Sequence, residues 1–194
     1  MTQAELDRKK ELILERETAF ANRIGAAVVE KPKVNLWMVL LPILFLHFIY
    51  RMKKYKEGRM KFTENFMLTR QRAMDTAAGA VAEGVEPDID EIVRRADLSE
   101  DMKGPYAEWV RVLVRHYMDL LAVPGDDFES LVRSAFGRLS NYLLALNRLS
   151  TVERQFYSTL KEQMREMEGT GAIIATIQER SHQLRRELAE SIFA

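Results

Sequence analysis

The sequence contains no cysteine, which removes several kinds of chemistry at once. Without thiolates the chain cannot form disulfide bonds, use a cysteine nucleophile or bind a metal through cysteine. Proline and glycine are also scarce, at 5 and 9 residues among 194, so few backbone breaks interrupt the helical patterns. We therefore expect a chain made of long helices.

The sequence also lacks an excess of charge of either sign. Its 29 basic side chains balance 29 acidic ones, whereas proteins that bind nucleic acid usually carry a basic excess for their phosphate contacts. We therefore expect no nucleic-acid partner. The length is sufficient for one globular domain with appendages.

Only one long stretch is free of charged residues, namely residues 34–50 with the sequence VNLWMVLLPILFLHFIY. As a helix it covers roughly 25 Å, against about 30 Å for the hydrocarbon core of a bilayer. Trp37 and Tyr50 lie near its ends, where amphipathic rings prefer the interface, and lysine or arginine flanks both sides. The sequence therefore predicts a membrane anchor. The predicted anchor residues are Leu36, Trp37, Leu40, Leu41, Pro42, Phe45, Phe48 and Tyr50, and the predicted lipid headgroup contacts are Lys33, Arg51, Lys53, Lys54 and Lys56.

Three geometries are open for this segment. A single crossing is favoured by the nearly unbroken run, and seven basic residues in 51–70 against four in 14–33 then place the C-terminal side in the cytoplasm. Pro42, at the centre, favours a kink, so that each half reaches about one leaflet and both flanks stay on one side. The third geometry is a buried helix of a soluble protein or of an oligomer core.

The N-terminal region, residues 1–33, predicts an amphipathic helix. Leu6, Ile13, Phe20 and Ala27 recur at intervals of seven residues and form one apolar stripe. We expect this stripe to pack on the C-terminal helices. The alternatives are a helix that lies on the membrane or pairs with another chain.

The remainder predicts three further regions. Residues 51–84 form a long juxtamembrane helix with a basic start, where each cation near anionic lipid contributes about 1 kcal/mol. Residues 85–104 form a linker with a short helix. Residues 105–194 carry four helical patterns, two of which begin at capping-box sequences that start at Asp126 and Ser150.

Short connections between these four patterns favour an antiparallel arrangement. The predicted fold class is therefore all-α, with a single membrane-anchoring hydrophobic helix, a long juxtamembrane helix and a C-terminal antiparallel helical bundle.

The three histidines are the candidates for chemistry, and each is expected to be structural. His47 lies in the apolar run without a polar partner, and His116 borders the apolar face of a helix. Glu179 and His182 share a helix face, but a di-iron bundle needs two such pairs and two further carboxylates. We expect no catalytic residue, no metal and no cofactor.

These observations predict a membrane-anchored helical accessory or interaction protein, of the scaffold or assembly kind. Its expected partners are the lipid bilayer and either another protein or a second copy of the chain, with the bundle in the cytoplasm. The alternative is a membrane-associated enzyme that acts on a lipid-linked substrate through His116 or His182. A polar pocket in which either histidine meets acids from another helix would favour that alternative.

Overall fold

A computed structural model describes residues 1–29, 55–166 and 170–194. The described residues form seven α-helices and no strand, which confirms the predicted all-α class. The helices are α1 (Gln3–Val29), α2 (Tyr55–Glu83), α3 (Ile89–Arg94), α4 (Glu100–Leu121), α5 (Phe128–Phe136), α6 (Leu139–Gln163) and α7 (Thr170–Ile192).

The predicted anchor at residues 34–50 lies outside the described residues, as do the headgroup contacts predicted at Lys33, Arg51, Lys53 and Lys54. Lys56 belongs to the first turn of α2, and only its backbone is described. Within the described ranges, no helix is both long enough and apolar enough to cross a membrane. The membrane-anchoring helix therefore remains a prediction.

Helices α1 and α2 form an antiparallel hairpin. Near the start of α1, Lys10 pairs with Asp75 at 2.5 Å between Nζ and Oδ1. Farther along α1, the hydroxyl of Thr63 donates to Asn22 Oδ1 at 2.8 Å. Residues later in α1 thus contact residues earlier in α2, as in an antiparallel pair. The end of α1 and the start of α2 therefore lie at one end of the bundle, which we call the hairpin end.

Apolar residues cover much of the circumference of the segment that begins at Pro105, which predicts a central helix, and α4 does run through the centre of the bundle. It contacts α1, α2, α3, α5 and α6. Its buried side chains are Met102, Tyr106, Trp109, Val110, Val112, Leu113, Val114, His116, Tyr117, Leu120 and Leu121. The expected packing of the N-terminal helix on the C-terminal helices is also confirmed, because α1 contacts α4, α5 and α7.

Helices α1, α4, α6 and α7 alternate in direction, and α4 runs parallel to α2. Helix α4 is antiparallel to α1, since Lys9 lies beside the carbonyl of Leu121 at 3.4 Å and Glu17 beside Tyr117. Helix α6 returns antiparallel to α4, and its last residue, Gln163, donates to Ser99 at 2.6 Å. The end of α6 and the start of α7 therefore also lie at the hairpin end.

Three helix starts in the C-terminal half differ from the prediction. Helix α4 begins five residues before the predicted start of the bundle, within the region expected to be a linker. Helix α6 continues through Ser150 and Glu153, so the capping-box sequence there does not start a helix. The break falls instead at Gly137, whose φ of 69° is a left-handed conformation that glycine adopts without strain. The capping box that starts α5 lies one residue later than predicted, on Asp127 and Ser130.

A matched pair of glycines tests the packing of α1 against α2. A Cβ atom added to Gly25 would lie 2.7 Å from the Phe62 ring, which is buried, whereas one added to Gly79 would meet nothing within 4 Å. Gly79→Ala should raise the free energy of unfolding by about 0.5–1 kcal/mol through helix propensity. Gly25→Ala should lower it by about 1–3 kcal/mol because the core is overpacked.

Urea unfolding followed by circular dichroism of the full chain measures both changes. Equal stabilisation by the two alanines would contradict the close approach of α1 and α2.

Candidate functional site

A groove of about 980 Å³ lies between α4 and α6 and is closed at one end by the turn after α2. Its lining combines apolar side chains, among them Val112 and Leu144, with polar ones. Leu144 is 70% exposed, which is unusual for a leucine in this bundle. The groove is thus a surface on which an apolar ligand or partner could bind.

The charges of this groove are arranged in weak local pairs. Arg115 lies 3.4 Å from Asp119 in an exposed pair on α4, and Arg111 pairs with Glu108 in the same way. Arg148, on the α6 side, makes no ion pair within the described residues. Partial burial raises the pKa of Asp119, and Arg115 opposes that effect. Exposed pairs of this kind exchange partners at little cost.

His116 lines the groove, and its ring contacts are those of a residue that packs in the core. Its ring stacks on Phe136 at 5.7 Å and on Tyr142 at 6.2 Å between centroids. Burial lowers the pKa of His116 to about 4, with Glu17 opposing the shift. The imidazole is therefore neutral near pH 7 and adds no positive charge to the groove.

An acid from another helix, Glu17, lines a cavity together with His116 but already accepts two hydrogen bonds. Glu17 of α1 accepts a hydrogen bond from the hydroxyl of Tyr117 at 3.0 Å and one from Arg70 Nε at 3.0 Å. The cavity that Glu17 and His116 both line has a volume of about 40 Å³, enough for roughly one water molecule. Both carboxylate oxygens of Glu17 are thus occupied by hydrogen bonds within the core.

Arg70 is the centre of a buried cluster that we call the ionic layer, formed by Glu17, Arg70, Glu153 and Arg185. Arg70 Nη2 lies 3.0 Å from Glu153 Oε1, and Arg185 Nη1 lies 2.6 Å from Glu153 Oε2. The side chains of Arg70 and Glu153 are 1% and 5% exposed. The layer joins α1, α2, α6 and α7, and its two positive charges balance its two negative charges.

Aromatic rings enclose the ionic layer. The guanidinium of Arg70 lies 3.8 Å from the centroid of Phe66, and that of Arg185 lies 5.3 Å from Phe20. Such contacts stabilise a desolvated cation by about 0.5–2 kcal/mol. Burial works against ionisation of Glu153, but the two guanidiniums outweigh it and the pKa of Glu153 is lowered.

Sequence reasoning assigned two members of this layer to other roles. Arg70 counted as one of the seven basic residues of the juxtamembrane segment, but it is buried in the core and contacts no lipid surface. Glu153 counted as part of a capping box, but it lies inside α6. The available signal was the position of Arg70 between apolar residues such as Met67 and Met74, which places a cation on the buried face.

Of the other two candidate histidines, the structure describes only His182. His182 is exposed on α7. His47 lies outside the described residues. No group of three or more histidine, aspartate or glutamate side chains in the described part of the chain could hold a metal ion.

Comparisons with known proteins add no functional assignment. No protein-family model matches the chain, and neither a curated protein nor a solved structure shows significant similarity to it.

Removal of the central carboxylate tests the ionic layer. Glu153→Gln leaves Arg185 without a charged partner in a buried position, so the free energy of unfolding should fall by about 3–5 kcal/mol. Glu190→Gln is the matched control, because Glu190 forms an exposed pair with Arg186 and its loss should change stability by less than about 0.5 kcal/mol. Urea unfolding of the two variants compares them, and equal effects would show that the layer does not stabilise the bundle.

The lowered pKa of His116 predicts a loss of stability in mild acid. The unfolded chain takes up the proton near pH 6.5, whereas the folded chain does so only near pH 4. Stability is thus complete above pH 6.5, falls by on the order of 2 kcal/mol by pH 5 and continues to fall towards pH 4.

His116→Phe should remove this part of the pH dependence, whereas His182→Gln, at an exposed position, should retain it. Urea midpoints at pH 7 and pH 5 provide the measurement. An unchanged slope in His116→Phe would assign the acid sensitivity to other groups.

Proposed function

We propose that the chain is a membrane-anchored helical interaction protein whose whole bundle lies on one face of the membrane. The anchor is the apolar run at residues 34–50, and the partner surface is the groove between α4 and α6. The observation that supports placing the whole bundle on one face is the antiparallel packing of α1 on α2.

The hairpin constrains how the anchor meets the bilayer. The apolar run lies in sequence between the end of α1 and the start of α2, and these two ends lie together. A single crossing would put α1 and α2 on opposite faces of the membrane. It would break the contacts of Lys10 with Asp75 and of Glu17 with Arg70. The packing thus favours an anchor that enters and leaves through the same face.

The basic residues before Arg70 support a cytoplasmic face for the bundle, because lysine and arginine near an anchor are retained there. Since α1 packs on α2, it belongs to the same compartment. In this geometry the charged residues of α1 stay on the side of the bundle, whereas a single crossing would require their translocation across the membrane.

The groove supports a role in binding another protein. Its apolar lining, with Val112 and the exposed Leu144, resembles the surface on which an amphipathic helix docks, and its exposed arginines can exchange partners. The committed carboxylate of Glu17 and the neutral ring of His116 favour this role over catalysis.

Cysteine accessibility tests the topology, and the absence of native cysteine makes the result unambiguous. Gln3→Cys in α1 and Ser140→Cys in α6 place single thiols at exposed positions. Both should resist a membrane-impermeant maleimide in intact cells and react after the cells are broken. Labelling of Gln3→Cys alone in intact cells would establish a single crossing and contradict the proposal.

Membrane retention is tested separately with charged substitutions. Leu40→Asp with Leu41→Asp should release the protein from membranes during a carbonate wash, because each buried carboxylate costs about 2.5–3.5 kcal/mol. Leu144→Asp, which changes an exposed leucine in the groove, should leave the protein in the membrane fraction. Release of the intact unmodified protein by carbonate would exclude the anchor.

A further inference from the structure

A second, smaller cavity opens between α6 and α7 and has a volume of about 160 Å³. Its polar lining consists of Asn147, Ser150, His182, Arg185 and Arg186, and no carboxylate lines it. It differs in this respect from the groove between α4 and α6, where aspartate and glutamate accompany the arginines. The lining supplies hydrogen-bond donors, as an oxyanion site requires, and the carboxylates that pair with its two arginines, Glu153 and Glu190, lie outside the lining.

The deepest cation of this cavity is fixed in position. Arg185 is 8% exposed, and its Nη1 donates both to Glu153 at 2.6 Å and to Ser150 Oγ at 3.0 Å. Because Ser150 accepts that bond, its own proton is available, and it finds no acceptor within the described residues. The hydroxyl is therefore an unused donor beside a nearly buried guanidinium.

The rim of the cavity adds a second cation. Arg186 uses Nε in an exposed pair with Glu190 at 2.8 Å, which leaves its terminal nitrogens free for another acceptor. His182 lies three and four residues before the two arginines and therefore shares their face of α7. Asn147 and Ser150 are three residues apart on the facing side of α6.

We propose that this cavity binds a phosphate group, either free or carried on a small molecule or a lipid. Two guanidiniums, a hydroxyl, an amide and an imidazole approach from two helices, so donors reach a tetrahedral anion from several directions. The volume accommodates one phosphate with a few waters. This site is separate from the anchor, and it shares only Asn147 with the lining of the groove assigned above.

The position of the cavity favours a soluble phosphate over a lipid headgroup. His182 lies twelve residues after the start of α7, which is roughly 18 Å along the helix axis from the hairpin end. A membrane that contacts the hairpin end is therefore far from the cavity unless the bundle lies on its side.

Proton NMR of the full-length protein in detergent tests the site, because the chain has only three histidines. His182→Gln assigns the ring signal of His182. Titration with inorganic phosphate at constant pH should shift that signal in a saturable way, and sodium chloride at equal ionic strength should not. A signal that responds equally to both salts would overturn the proposal.

Two matched variants on α7 separate binding from general charge attraction. Arg186→Gln should weaken phosphate binding at least tenfold, because it removes a charged donor. Arg180→Gln removes the same charge outside the cavity and should bind phosphate as the unmodified protein does. Equal affinity in the two variants would contradict the site.

The source of the phosphate is decided in nanodiscs. A His182 signal that moves with free phosphate, but not when phosphatidic acid is added to phosphatidylcholine, assigns the site to a soluble ligand, as we expect. Movement with phosphatidic acid assigns it to a headgroup. Absence of movement with either probe overturns the proposal.

Discussion

The bridge that Glu153 makes between Arg70 and Arg185 is the interaction on which the rest of the bundle depends. A buried charge is expensive to desolvate, and only a complete set of partners offsets that expense. The partners come from α1, α2, α6 and α7, so these helices must reach one register together. An apolar core alone would tolerate small slips between helices, whereas the ionic layer does not. It therefore specifies the arrangement as well as contributing to its stability.

The same layer ties the N-terminal hairpin to the C-terminal helices. Glu17 reaches Arg70 within the hairpin, and Arg70 reaches Glu153 beyond it, so α1 and α2 are held to the bundle by charge as well as by apolar contact. A membrane anchor between α1 and α2 therefore has both of its ends joined to the packed bundle, on one side of the membrane. The proposed topology follows from this physical connection, and positive residues near the membrane then only select the face.

Helix α6 lines both the groove with α4 and the cavity with α7. The two surfaces differ in charge because their arginines pair with acids in different places. Toward α4 it faces arginines that are already paired with acids one turn away, so the groove has little net charge and an apolar lining. Toward α7 it faces Arg185, whose acidic partner lies inside the core and not in the cavity. The outer side of that guanidinium, with Ser150 and Arg186, is left for an external anion. Glu153 thus stabilises the core, and because its carboxylate does not line the α6–α7 cavity, the lining itself carries no negative side chain.

The sequence by itself determined the helical class, the stripe of α1 and the central place of α4, because these follow from the periodicity of neighbouring residues. It also located the short helix before α4. The tertiary structure alone decided the roles of Arg70 and Glu153, which are 83 residues apart and meet only in the folded chain. Locally, each matched a common pattern, a juxtamembrane cation and a capping acid. Whether a charged residue faces solvent or a distant partner is a property of packing between helices, and periodicity along one helix does not contain it.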